Sequence, residues 1–290
     1  MNYVFMTDSD SDLPLALKEA WQIPVVYMPF TVDGEEHLDD LGASLDSKAF
    51  FDKMRAGAVV KTSAQNTEYY LELFEPYLRS GQDILFISFS SNMSSTFKAI
   101  EAARDELLPR YPGRAIRLVD TLSISCAMAV LVYKAHELYA AGADMETVAQ
   151  WVENNRLRAR ALFTVDDLEY LKRGGRITGT VAALGKLLDL KPILELNRDG
   201  LIVSTGKVRG RRHALTYILD QAAATLPDET EAPGFVLHAD APEDAARLEQ
   251  MLRERFPKLQ LIRTNVGPVI GAHAGPGTVA FCYLGTERTV

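Results

Sequence analysis

Apolar positions along this 290-residue chain fall into short runs of β-branched and aromatic residues, each followed by a polar, hydroxyl-rich loop and then by apolar residues at helical spacing. The clearest case is 84–89, which stops at Ser-Ser-Asn-Met-Ser-Ser-Thr (90–96) before Phe97, Ile100, Arg104 and Leu107 take up a helical period. It reads as strand, loop and helix. The design recurs at 3–7, where an acidic loop (8–12) leads into a helix over 13–21. It recurs at 59–60, where Lys61-Thr62-Ser63 precede a helix that Thr67 would cap and that continues through Tyr70, Leu71 and Phe74. It recurs again at 115–119, ending in Asp120-Thr121. Residues 25–32 read as one further strand, 34–40 as a polar turn and edge, and 47–54 as a short helix. The nearly continuous apolar character of 126–140 predicts a buried helix, and 145–156 an amphipathic one.

The second half opens with a strand over 161–165, then a short helix in which Leu168 and Leu171 share a face and which stops at Gly174-Gly175. Residues 191–196 and 201–203, joined by Asn-Arg-Asp-Gly, predict a hairpin. Residues 206–212 read as a basic loop, 214–224 and 243–256 as helices, and 234–238 and 259–263 as strands. A Gly- and Pro-rich stretch, 267–277, reads as a loop with His273 at its tip, followed directly by an apolar strand. Strands alternating with helices place the chain in the α/β class. The expected organisation is two domains: a Rossmann-like parallel sheet with flanking helices over 1–155, and a mixed α/β domain over 156–290.

Composition narrows the functional classes. At 47% hydrophobic and 24% charged, the chain has core enough for two domains. Its apolar runs are too short to cross a bilayer, Lys186 interrupts the longest candidate (177–190), and the first residues lack a basic start and a cleavage site. A cytoplasmic protein is expected, with at most transient contact with a membrane surface. Cys126 and Cys282 stand far apart, with no second cysteine at metal-ligand spacing, so no metal site is expected. The net charge of −8 is uneven: residues 156–213 hold 13 Lys/Arg against 6 Asp/Glu, or +7, which leaves −15 elsewhere. That basic segment suits an acidic or phosphate-bearing partner, or a solvated face. Nucleic-acid binding is not expected, because a basic domain with interleaved aromatics is missing.

Hydroxyl side chains at a helix start, beside backbone N–H groups with no internal partner, suit a carboxylate or phosphate; the same residues also serve as ordinary caps. Both readings hold for 62–63 and 90–96. Asp8 and Ser9, at the end of the first strand, are candidates for lining a pocket or for capping the next helix. Lys172 and Arg173 complement a helix C-terminus or contact a partner. His273 is structural or hydrogen-bonds an oxyanion. With neither a Ser-His-Asp constellation nor a Walker-type Gly-Lys-Ser/Thr nearby, the hydroxyls read as binding groups and not as nucleophiles.

Taken in order, Thr-Asp-Ser (7–9), Lys-Thr-Ser (61–63), Ser-Ser-Asn-Met-Ser-Ser-Thr (90–96), Val-Asp-Thr (119–121), Leu-Glu-Tyr-Leu-Lys-Arg-Gly-Gly-Arg-Ile (168–177), Lys-Pro-Ile-Leu (191–194) and Gly-Ala-His-Ala-Gly-Pro-Gly (271–277) resemble the motifs of the DegV family. The resemblance implies a fatty-acid-binding protein of two α/β domains with the ligand between them and no catalytic residue of its own. Some members carry the acyl chain for a bacterial fatty acid kinase, whose separate ATP-binding subunit phosphorylates the carboxylate to an acyl phosphate for phospholipid synthesis. Carried over, Thr62 and Ser94 are the leading donors to the carboxylate, Ser63, Ser91 and Asn92 flank them, and His273 and Gly275 lie near the head group. Arg173 and Arg176 would contact the kinase subunit or the phosphate. No cofactor is implied beyond the bound fatty acid. Asn92 and Ser95 stand where the family pattern usually has glycine. Phe30, Phe97, Met128, Leu184 and Leu188 are candidates for the apolar tunnel. The alternative is a stand-alone hydrolase or phosphotransferase built on Asp8, Asp120 and the serine loops.

Overall fold

The computed structural model describes residues 2–177, 189–227 and 230–290. Strands β1 (Tyr3–Asp8), β2 (Val25–Val26), β6 (Asp83–Ser88) and β7 (Ile116–Asp120) form a parallel sheet in the order β2-β1-β6-β7. Strands β3 (Pro29–Val32), β4 (Glu35–Leu38) and β5 (Val60–Thr62) form a small antiparallel sheet with β3 in the middle. The third sheet is mixed and runs β10-β9-β8-β13-β11-β12. It is built from β8 (Ala159–Thr164), β9 (Leu190–Leu196), β10 (Ile202–Arg209), β11 (Gly234–His238), β12 (Leu261–Asn265) and β13 (Val279–Leu284).

Helix α1 (Leu15–Trp21) follows the first strand and α2 (Ser47–Arg55) the small sheet. Helices α3 (Thr67–Arg79) and α4 (Thr96–Leu107) pack on the parallel sheet, as does α6 (Met145–Asn155). Helix α5 (Ser125–Ala140) lies between the two large sheets, touching β1 on one side and β8, β11 and β13 on the other. This explains its apolar run: Met128, Val130, Leu131 and Val132 are completely buried, each contributing about 1.5–3 kcal/mol. The first half, 125–132, is covered all round and has no polar face to show, while Lys134 and Glu137 meet solvent in the last two turns. Short α7 (Glu169–Arg173) packs on α10 (Pro268–Ala274), while α8 (Arg211–Thr225) and α9 (Pro242–Arg255) cover the outer face of the mixed sheet. Its strands alternate accordingly. Ala161, Phe163, Leu237, Ala280 and Cys282 join the core shared with α5; Leu162, Val236, Val279, Phe281 and Tyr283 join a second core under α8 and α9.

Four local expectations change. Residues 25–32 are two strands in two sheets: Ser9 Oγ accepts the Met28 N–H at 3.0 Å and Pro29 has no N–H, so the ladder breaks between them. The basic loop at 206–212 is mostly strand, because β10 pairs with β9 through Arg209↔Leu190 across a bulge at Ser204/Gly206, and α8 starts two residues later. Asn66, not Thr67, caps α3, its Oδ1 accepting the Tyr69 N–H at 2.9 Å. His273 lies not on a loop tip but in the last turn of α10, a helix that the fixed φ of Pro268 helps to start.

Candidate ligand-binding site

A cavity of about 300 Å³ lies where loops of the parallel sheet meet the inner face of the mixed sheet, within the size range of small-molecule sites. Phe89, Met93 and Ile124 line it from the first side; Ala161, Phe163, Leu237, Ala280 and Cys282 line it from β8, β11 and β13; α10 contributes Val269 and Ile270. Most of the wall is therefore hydrocarbon.

Thr62, Ser94 and His273 reach the cavity from three separate elements. Thr62 ends β5 opposite Phe30, and the next N–H, that of Ser63, donates to Pro29 O at 3.1 Å, which fixes the turn into the cavity. Its Oγ1 lies 2.9 Å from Nε2 of His273. Ser94 stands at the start of α4, its Oγ 2.9 Å from Thr96 Oγ1 and accepting the Thr96 N–H at 3.2 Å. Ser95 makes no cap with its side chain, and at φ −77° it needs no glycine. Thr62, Ser63, Ser94, Ser95, Thr96 and His273 all face the cavity.

Burial and the nearby Arg176 charge push the His273 pKa down to about 4, so the ring is neutral at pH 7. In the tautomer protonated at Nε2 it donates to Thr62 Oγ1 and leaves the threonine proton free for a ligand oxygen. Nδ1 is buried without a partner, and the ring presses against the Gly174 backbone: a Cβ there would lie 2.1 Å from Nδ1. Position 174 must be glycine for want of room, since its φ of −74° suits any residue. Arg176 is the one Lys or Arg among the described wall residues, and its Nη1 donates to Gly174 O at 2.5 Å.

The other expected residues lie elsewhere. The Ser91 N–H donates to Asp120 Oδ1 at 3.2 Å, tying this loop to the end of β7, while Asn92 Nδ2 donates to Asp199 O at 2.8 Å and Ser90 Oγ to Gly200 O at 3.1 Å, fastening it to the β9–β10 hairpin. Gly275 ends α10 at φ +78°, and a Cβ there would meet the Tyr170 ring at 2.4 Å, so it serves the helix end and not the wall. Arg173 is exposed, its guanidinium 5.0 Å from the Tyr170 ring centre. Phe30 and Met128 belong to the core and Phe97 packs against it, all three outside the wall. Leu184 and Leu188 lie outside the described residues.

Asp8 and Ser9 neither line the cavity nor cap α1. Asp8 Oδ2 accepts from Ser88 Oγ at 2.7 Å and from the Phe89 N–H at 3.3 Å, joining β1 to β6, and Ser9 holds Met28. Asp12 joins α5 to α10: it pairs with Ser125 Oγ and accepts the Gly267 N–H at 2.8 Å. Burial pushes Asp8 up to about 6 and Asp12 up to about 7. Asp10, between them, does reach the wall, together with Ser125 and Thr278. Sequence reasoning passed over all three, since nothing in Asp-Ser-Asp-Ser-Asp distinguishes the middle carboxylate from its neighbours.

The chain was compared with known proteins. A family model described as "Uncharacterised protein, DegV family" matches residues 3–286. A DegV domain-containing protein of Clostridium perfringens is 36% identical over 286 residues, spanning 99% of this chain and 98% of that one. Among solved structures, a DegV family protein from Thermus thermophilus described for fatty acid binding is 30% identical, with a TM-score of 0.84 over 98% of this chain and all of the other. DegV of Bacillus subtilis, described as a fatty acid binding protein, is 28% identical, with a TM-score of 0.83 over 99% of this chain and all of the other. In sequence and in fold, from end to end, the chain belongs to the DegV family.

Proposed function

We propose that this chain binds a long-chain fatty acid in the cavity, with the carboxylate at Thr62, Ser63, Ser94 and His273, and presents it to a separate ATP-binding kinase subunit. The observation that carries the reading is the Thr62–His273 pair, set with Ser94 in the wall of an otherwise mainly apolar cavity. A carboxylate taken out of water is costly unless several donors meet it, and charge-assisted hydrogen bonds from hydroxyls meet that need. The tail needs no polar contact, since each buried methylene is worth about 0.8 kcal/mol. The fatty acid binding described for the Thermus and Bacillus proteins supports the same ligand class.

In this reading a carboxylate oxygen attacks the γ-phosphorus of ATP on the partner, the bond to ADP breaks and an acyl phosphate forms. Such transfers depend on positioning and charge balance. Thr62 and Ser94 orient the oxygen, Arg176 offsets negative charge, and exposed Arg173 contacts the kinase subunit. A hydrolase built on Asp8 and Asp120 is less well supported, because both carboxylates accept structural hydrogen bonds, Asp8 from Ser88 and Phe89 and Asp120 from Ser91 and Leu122.

Titration with palmitate tests the binding step. Losing a hydrogen bond to a charged group costs about 1.5–3 kcal/mol, so Thr62→Ala and Ser94→Ala each weaken binding by about ten- to a hundredfold. Wild-type affinity in both folded variants contradicts the assignment.

A further inference from the structure

Asp10 has no part in the binding scheme above, yet it stands on the same wall. Its side chain is 5% exposed, and Oδ1 is buried with no hydrogen-bond partner among the described residues. Each neighbouring aspartate has at least one paired oxygen, Asp8 with Ser88 and Phe89, Asp12 with Ser125 and Gly267, Asp39 with the Leu41 N–H at 3.2 Å, although Asp8 Oδ1 and Asp39 Oδ2 are also buried without a partner; of the four, Asp10 alone lines the cavity. Asp10 is thus a carboxyl group on the cavity wall, withdrawn from water and with an oxygen that no described residue pairs. A methylene passing it leaves that group unpaired, and sites with buried hydrogen-bonding groups reject analogues that cannot pair with them.

The charges around Asp10 define what can face it. Asp8, Asp39 and Asp12 act on it electrostatically in one sense, and Arg176 in the other. A second carboxylate would add to three buried carboxyls, and an ammonium would meet the Arg176 guanidinium. An uncharged hydroxyl avoids both. Burial and the three neighbouring aspartates raise the Asp10 pKa above its ordinary value, which favours the protonated form, and a protonated carboxyl donates one hydrogen bond and accepts another, as an alcohol does.

We propose that Asp10 makes this cavity selective for an acyl ligand whose chain carries a hydroxyl group. The proposal rests on the fatty-acid reading above and names the substrate class within it.

The test is calorimetric titration of the full chain with palmitate and with palmitic acids hydroxylated at successive chain positions, in the wild type, Asp10→Leu and Asp10→Asn, with circular dichroism to confirm folding. At least one hydroxylated isomer binds the wild type about tenfold more tightly than palmitate, the worth of one hydrogen bond to a buried group. Asp10→Leu loses that preference and, with no unpaired carboxyl left beside the chain, binds palmitate at least as tightly as the wild type, and Asp10→Asn, still donor and acceptor, retains the preference. The proposal is overturned if no isomer surpasses palmitate in the wild type, or if folded Asp10→Leu keeps the preference. Absence of binding by every acid, palmitate included, defeats the fatty-acid reading instead and is distinguishable from both.

Discussion

Gly174→Ala adds one methyl group and strikes the centre of the site. The new Cβ would lie 2.1 Å from His273 Nδ1, 3.0 Å from Cε1 and 3.2 Å from Cγ. Ordinary contact needs about 3.5 Å, so the imidazole or the turn after α7 has to retreat by about 1 Å or more. The Thr62–His273 bond, 2.9 Å long, does not survive a retreat of that size, because a hydrogen bond stretched past 3.6 Å is no longer one. The loss is about 1 kcal/mol, and Thr62 also loses its orientation, so palmitate binding weakens about tenfold. Position 174 is only partly buried and its φ suits alanine, so the melting temperature moves little. Titration of Gly174→Ala, His273→Ala and the double variant separates the effects. If glycine acts by seating the imidazole, the double variant binds no worse than His273→Ala alone. Wild-type affinity in Gly174→Ala, or simple additivity in the double variant, refutes the reasoning.

Two further outcomes follow. Asp12 titrates at about 7 in the folded protein against 3.8 unfolded, so between those values the folded state holds the extra proton and stability falls as pH rises. Asp12→Asn removes this while keeping an acceptor for Gly267, so its stability relative to the wild type improves by up to ~4 kcal/mol between pH 4 and pH 8, at 1.36 kcal/mol per pKa unit. His273, shifted in the opposite direction, is present in both proteins and cancels, whereas Asp39 and Asp10, which the Asp12 charge helps to raise, shift down in the variant and act in the same direction as the loss of Asp12. Denaturant melts across that range check it, and a pH-independent difference contradicts it. Arg173→Ala, at an exposed position, changes palmitate affinity by less than about twofold and slows acyl-phosphate formation with the kinase subunit; weakened binding would place Arg173 in the site instead.

Where a residue's neighbours in sequence set its environment, the chain was readable in advance. The apolar run at 126–140 announced a buried helix, and α5 lies between two sheets with residues 125–132 fully covered and its C-terminal turns partly exposed. The runs at 3–7, 84–89 and 115–119 announced strands, and their hydroxyl-rich ends meet other elements at or near the cavity. Pairing across long separations was hidden. Thr62 and His273 are 211 residues apart, and only the family motifs linked them. The split of 25–32 depends on Ser9 capturing Met28, a contact with no local signature. The family resemblance put Asn92 beside the carboxylate, but its amide is spent on Asp199, a partner supplied by a hairpin more than a hundred residues on. Asp10 was obscured by its own neighbours: three carboxylates alternate with serines, and only the tertiary structure turns the middle one toward the cavity.

The central claim, that this cavity holds a fatty acid by its carboxylate, is met most directly by organic extraction and mass spectrometry of the purified protein beside a Thr62→Ala/Ser94→Ala variant. The account predicts near-stoichiometric long-chain fatty acid from the wild type and little from the variant. No lipid from either protein, both folded, would contradict it.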